Sequence, residues 1–195
     1  MKRYFSFTLV EILAVTAIVA LLGAIGFAGY GYAMNASRRA ATESLIQQIS
    51  AGLENFKIKN GYYPTSTSYE KIRFTVSNDK ITNIQFGTTG TGWGDTSSQF
   101  KVFIKPLDQE KLKKNISGDQ LVDSWGGAIY YCYPGKVNTT GFDLIAPGED
   151  GKFGKEKGET PGEPGTSEKI NVFLDRCYKE SGDWACDDIS NFMDK

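Results

Sequence analysis

FTLVEILAVTAIVALLGAIGFAGYGYAM, residues 7–34, decides how this chain is read. From Ile12 to Met34 nearly every residue is apolar or small, and none is charged. A helix rising ~1.5 Å per residue crosses a ~30 Å hydrocarbon core over such a stretch. A secretory signal has a shorter apolar region closed by a small-x-small cleavage site, and no such site ends this one cleanly. Lys2 and Arg3 precede it, so the basic end stays cytoplasmic and everything after Met34 lies outside. Glu11 interrupts the apolar run at its start, an expensive place for a lone carboxylate. A cut between Ser6 and Phe7 would create an ammonium group one helical turn from Glu11, able to pair with it in a water-poor bundle. The dipole of the helix favours a carboxylate at that end as well. A plain membrane anchor with an interfacial glutamate is the simpler alternative.

The helical pattern runs on beyond the apolar run. Leu45, Ile49, Leu53 and Phe56 fall at steps of four, four and three, one apolar stripe that Arg38, Arg39, Glu43, Gln47, Gln48 and Glu54 largely avoid. From Phe7 to about Lys59 this predicts a rod of roughly 80 Å. Residues 7–34 are its membrane and assembly half, and 35–60 its amphipathic half. Ala20, Ala24 and Ala28, at steps of four, permit close approach of neighbouring helices. Asn60-Gly61 followed by Pro64 ends the helix.

Residues 61–195 read as a β-rich head. Ile72, Phe74 and Val76 alternate with polar residues, Asn78-Asp79 turns the chain, and Ile81–Phe86 returns as a hairpin partner. Gly87–Ser98, containing GTTGTGWGDTSS, reads as a loop. It lacks the Gly-Lys-Ser/Thr ending of a phosphate-binding loop, and no helix pattern is expected after it. Phe100–Lys105 reads as a further strand and Asp108–Asn115 as a short helix, whose Lys111, Lys113 and Lys114 suit a solvated face. Then come the turn Asp123-Ser124-Trp125-Gly126, an aromatic strand to Tyr131, the turn Tyr133-Pro134-Gly135, the strand Gly141-Phe142-Asp143-Leu144 and the acidic turn Gly148-Glu149-Asp150-Gly151.

Composition narrows the chemistry. The chain has no histidine, which removes Ser-His-Asp and Cys-His catalysis and His-ligated zinc. A formal net charge of −1 gives no basic footprint for nucleic acid, and none is expected as a partner. No nucleophile, carboxylate pair or cofactor motif points to an enzyme. Of three cysteines, Cys132, Cys177 and Cys186, at least one stays unpaired within the chain. Cys177 and Cys186 would close a short loop if the head is exported. Cys132, on the aromatic strand, fits a buried free thiol.

Phe7-Thr8-Leu9-Val10-Glu11-Ile12-Leu13 before an apolar run resembles the cleavage and methylation signature of type IV prepilins and of the pseudopilins of type II secretion. The segment NGYYPTS (60–66) resembles the turn that leaves the long helix of the major pseudopilin. The order Asp-x-Trp-Gly turn, aromatic strand, Pro-Gly, Phe-Asp-Leu strand and Gly-x-Asp-Gly loop is similar to that family too. The likeness covers about half the chain and does not extend through 67–120. It implies a leader peptide, residues 1–6, cut by a prepilin peptidase between Ser6 and Phe7, methylation of Phe7, and a role for Glu11 in assembly. Ser6 departs from the family's usual glycine. Ala28 lies close to where many relatives bend the helix with proline, and Gly23, Gly26, Gly29 and Gly31 supply that weakness here.

The resemblance further implies calcium held by Asp150 together with Asp187 or Asp188. Carboxylates on turns are the hard oxygen ligands that this ion takes, although ordinary acidic turns carry the same residues. Residues 152–186 separate the two acidic segments, so the chain must fold back, and a Cys177–Cys186 bridge would help hold the return. The expected fold is α+β and pilin-like, a long N-terminal helix packed on a small antiparallel sheet. The expected function is a structural subunit of a type II secretion pseudopilus, in the inner membrane with its head in the periplasm. Its partners would be copies of itself, minor pseudopilins, prepilin peptidase and the inner-membrane assembly platform. A type IV pilin for adhesion, motility or DNA uptake and a non-polymerising tethered binding domain are the alternatives.

Overall fold

The computed structural model describes residues 8–66, 68–87, 92–149, 151, 153 and 189–191, with the backbone alone at 25–29. The chain divides into two compact units, Met1–Ser37 and Arg38–Lys195. A helix, α1, runs Leu9–Asn60. Within the first unit it opens two residues later than the sequence suggests, because Thr8 is its cap. Leu9, Val10, Ile12, Leu13, Val15, Ile18, Val19, Leu21 and Leu22 are all exposed there, on every side of the helix. Among the described residues no helical stretch is long and apolar enough to cross a membrane.

The second unit follows from the amphipathic part of α1. Leu45, Ile49, Leu53 and Phe56, the stripe expected from sequence, are buried together with Ile46. Asn60 ends the helix where Gly61, at φ +83°, donates its N–H to Lys57 O at 2.7 Å, the left-handed cap that glycine permits. Next come β1 (Glu70–Ser77), β2 (Lys80–Phe86), β3 (Gly92–Gly94), α2 (Ser98–Ile104), α3 (Gln109–Lys114), β4 (Ile116–Ser117), β5 (Gln120–Leu121), β6 (Tyr130–Cys132), β7 (Asp143–Ala146) and β8 (Ile189–Ser190). The described strands pair antiparallel in the order β3-β2-β1-β6-β7-β8, with β5 joined to β1 and β4 to β5. The architecture is therefore mixed α+β, a helix and an antiparallel sheet sharing one core. Phe56 of α1 stacks on Trp93 of β3 at 4.4 Å, and Trp93 also meets Phe86 of β2.

Five local expectations are corrected. The expected strand Phe100–Lys105 is helical as far as Ile104, because Ser97 caps Phe100 N–H and the buried residues Phe100, Phe103 and Ile104 recur at helical spacing. The Gly/Thr/Ser stretch before it is not all loop, since Gly92–Gly94 pairs with β2. A helix does follow it, although one that presents phenylalanines to the core. Val76 does not continue the alternation of Ile72 and Phe74: a bulge between Thr75 and Val76 turns it outward, to 42% exposure. Lys113, expected on a solvated face, is only 14% exposed and grips the β1–β2 turn, donating to Asp79 O and Oδ1 at 2.9 Å each. Asn78 and Asp79 both take positive φ, as a two-residue hairpin turn requires.

Gly52 sets how closely α2 crosses α1. A Cβ there would lie 2.7 Å from Leu107 Cδ1 and 3.0 Å from Phe103 O. Beside it Asn55 Nδ2 donates to Val102 O at 2.6 Å. Gly52→Val is expected to force the helices apart and lower stability by about 1–3 kcal/mol, read as an earlier midpoint in urea. A midpoint equal to wild type would mean that α2 can shift at no cost.

Candidate functional site

Two places gather polar groups in ways that bear on function. The first is the start of α1. Glu11 Oε2 accepts the Thr8 backbone N–H at 2.7 Å and the Thr8 hydroxyl at 2.9 Å, while Thr8 Oγ1 accepts the Glu11 N–H at 3.2 Å. This is a capping box, in which residues three apart satisfy each other's otherwise orphaned donors. The carboxylate that looked unpaired thus has a partner in the uncut chain. Thr-x-x-Glu is the sequence signal for this box, and it is local, its two members three residues apart, and independent of any new amine. Of the residues assigned to processing, Ser6 and Phe7 lie outside the described residues.

The second place is the face of the head beneath Tyr133–Gly141. Asp143, at the start of β7, is fully buried. Its Oδ2 accepts the N–H groups of Lys136 at 2.6 Å and Val137 at 2.9 Å and the hydroxyl of Tyr69 at 2.8 Å; Oδ1 accepts Asn138 N–H at 2.9 Å. Three successive backbone N–H groups aimed at one anion form a nest, and here the anion is the chain's own side chain. Gly135 makes room for it, since a Cβ there would stand 2.6 Å from Asp143 Oδ1 and from Asn138 O. Burial first, and then the Asp143 carboxylate it faces, hold the Tyr69 phenol well above its ordinary value.

A second buried carboxylate, Asp123, organises the neighbouring turn. Its Oδ1 accepts Trp125 N–H at 2.9 Å and Gly127 N–H at 2.8 Å, and its Oδ2 accepts Gly148 N–H at 3.2 Å. Burial pushes the Asp123 carboxyl up, against the opposing pull of these amides. The Asp-Ser-Trp-Gly turn is thereby tied to the start of the acidic Gly-Glu-Asp-Gly turn. Ser124 joins it to α1, exchanging hydrogen bonds with buried Thr42 at 3.0 and 3.1 Å. Neither Asp123 nor Asp143 nor Thr42 was singled out as functional from sequence, because their partners lie far away in the chain.

Asp150, Asp187, Asp188, Cys177 and Cys186 lie outside the described residues. Their flanks are described. Ala146 of β7 pairs with Ile189 of β8, so the chain does return to the sheet beside the acidic turn. Asn191 fixes the return, its Oδ1 accepting Leu144 N–H at 2.8 Å and its Nδ2 donating to Phe142 O at 3.0 Å. Among the described residues no three or more Asp, Glu or Cys side chains gather as a metal site.

Cys132 is buried and free, with its thiol 3.3 Å from Pro134 O. Burial, and then Asp143, push it from 9.0 to about 11. A folded-state value above the unfolded one favours the fold below pH 9, and that contribution is lost as pH rises through about 11. At pH 8 the Cys132 peptide is expected to resist maleimide in the folded protein and to react in urea, as read by mass spectrometry. Equal rates in both states would contradict the burial. No protein-family model, curated protein or solved structure matches the chain.

Proposed function

We infer that this chain is a prepilin-class subunit, matured by removal of residues 1–6 and assembled through the apolar part of α1 into a pseudopilus of a type II secretion system. One observation carries the reading: the helix from Leu9 to Leu22 carries apolar residues on all sides, is exposed on all sides, and is opened by the Thr8–Glu11 capping box. Such a surface needs lipid before assembly and copies of itself afterwards. The sequence Phe-Thr-Leu-Val-Glu before it supports peptidase processing, and the head supports a structural role, its buried carboxylates being spent on holding turns. The acidic segments 148–151 and 187–188, whose flanks meet at β7 and β8, are where calcium would be held.

The test is the intact mass and N-terminal sequence of the protein taken from its own membrane. A chain beginning at methylated Phe7 is the expected result. A chain still beginning at Met1, in cells with an active prepilin peptidase, would move the reading to a tethered domain that does not polymerise.

A further inference from the structure

Tyr30 and Tyr32 are 65% and 83% exposed at the end of the apolar part of α1. Two residues apart on a helix, they stand about 200° apart around its axis, at ~100° per residue. A single partner helix meets residues three or four apart, not two. Gly31 between them has open space where a side chain would be, and both rings are largely exposed. The surroundings that suit two phenols on opposite sides of a helix are the same all round it. A bilayer interface is such an environment: tyrosine collects there, its ring in the acyl boundary and its hydroxyl among headgroup phosphates and carbonyls.

The spacing agrees. Glu11 to Tyr30 and Tyr32 spans about 28 to 32 Å at ~1.5 Å per residue, against a hydrocarbon core of ~30 Å. No charged residue occurs between Glu11 and Arg38. With the tyrosines at the outer headgroups, the Thr8–Glu11 cap falls at the inner ones, where a hydrated carboxylate is tolerated.

We propose that Tyr30 and Tyr32 form a two-sided collar that binds the outer phospholipid headgroup layer and sets the depth at which the unassembled subunit sits. This rests on the membrane reading above. It adds that the register of the span is fixed by Glu11 at one interface and the two phenols at the other.

The experiment uses the full chain in vesicles of phosphatidylethanolamine and phosphatidylglycerol. A fluorescent amino acid replaces Leu22 or Met34 in turn, and nitroxides on the headgroup or deep in the acyl chain report depth by quenching. The probe at 22 should be quenched best by the deep nitroxide and the probe at 34 by the headgroup nitroxide. In Tyr30→Ala/Tyr32→Ala the probe at 34 should shift inward, its headgroup-to-deep quenching ratio falling by about twofold or more. Tyr30→Trp/Tyr32→Trp, which keeps interfacial rings, should restore the ratio. An unchanged ratio in the alanine variant would overturn the collar while leaving the membrane reading intact. So would a ratio that follows protein density in the vesicle, the sign of contact with a second copy. Failure of the deep nitroxide to quench the probe at 22 would remove the membrane reading and the collar with it.

Discussion

Asp143→Ala is expected to cost the head about 3–5 kcal/mol, much of the stability of a domain this size. The substitution strands the N–H groups of Lys136, Val137 and Asn138 and the Tyr69 hydroxyl, all now satisfied by one carboxylate. Each buried donor left without an acceptor costs roughly 1–3 kcal/mol, and partial relaxation of the loop toward water keeps the total below their sum. Asp143→Asn should fall between, since the amide retains one acceptor oxygen but turns an N–H₂ group toward incoming donors. Urea unfolding followed by tryptophan fluorescence reads both. A midpoint for Asp143→Ala close to wild type would mean that the loop Pro134–Gly141 finds other acceptors and that Asp143 is not its centre.

Glu11→Leu should nearly abolish assembly without disturbing the head. Glu11 lies in the first unit and Asp143 in the second, so unfolding of the head should be unchanged. Two losses act at the helix start. The Thr8 N–H and hydroxyl lose their acceptor, and on the proposed reading the amine freed at Phe7 loses its carboxylate partner in the bundle. Leaving one member of a desolvated charge pair alone costs enough to lower assembly by about tenfold or more. Thr8→Val separates the two losses, because it removes only the hydroxyl's share of the cap. It should weaken assembly far less than Glu11→Leu does, measured as subunit recovered in sheared filaments per cell. Equal assembly by Glu11→Leu and wild type would reduce Glu11 to a capping residue of a plain anchor.

What could be read from sequence follows a physical division. Periodicity over many residues is robust, so the buried stripe Leu45, Ile49, Leu53 and Phe56 emerges directly, and so does the hairpin around Asn78-Asp79. Short elements are ambiguous. Phe100, Phe103 and Ile104 make one helical turn, too few to outweigh the strand-like look of Phe-Lys-Val-Phe-Ile. Bulges are invisible to an alternation rule, so Val76 alternates in sequence with Ile72 and Phe74 yet leaves their face. The two carboxylate hubs were illegible for another reason. Asp143 takes donors from residue 69 and from 136–138, and Asp123 reaches forward to Gly148. Only the finished topology brings those groups together. The Thr8–Glu11 box is the reverse case, a signal carried wholly by residues three apart.

The central claim is that this chain polymerises through the apolar part of α1, and filaments test it most directly. Cells expressing the protein at raised level are sheared, the released fibres are labelled with antibody to the head, and their subunits are sequenced from the N-terminus. The account predicts labelled fibres whose subunits begin at Phe7. Processed protein that stays wholly in the membrane fraction, in cells whose secretion machinery is intact, would contradict it.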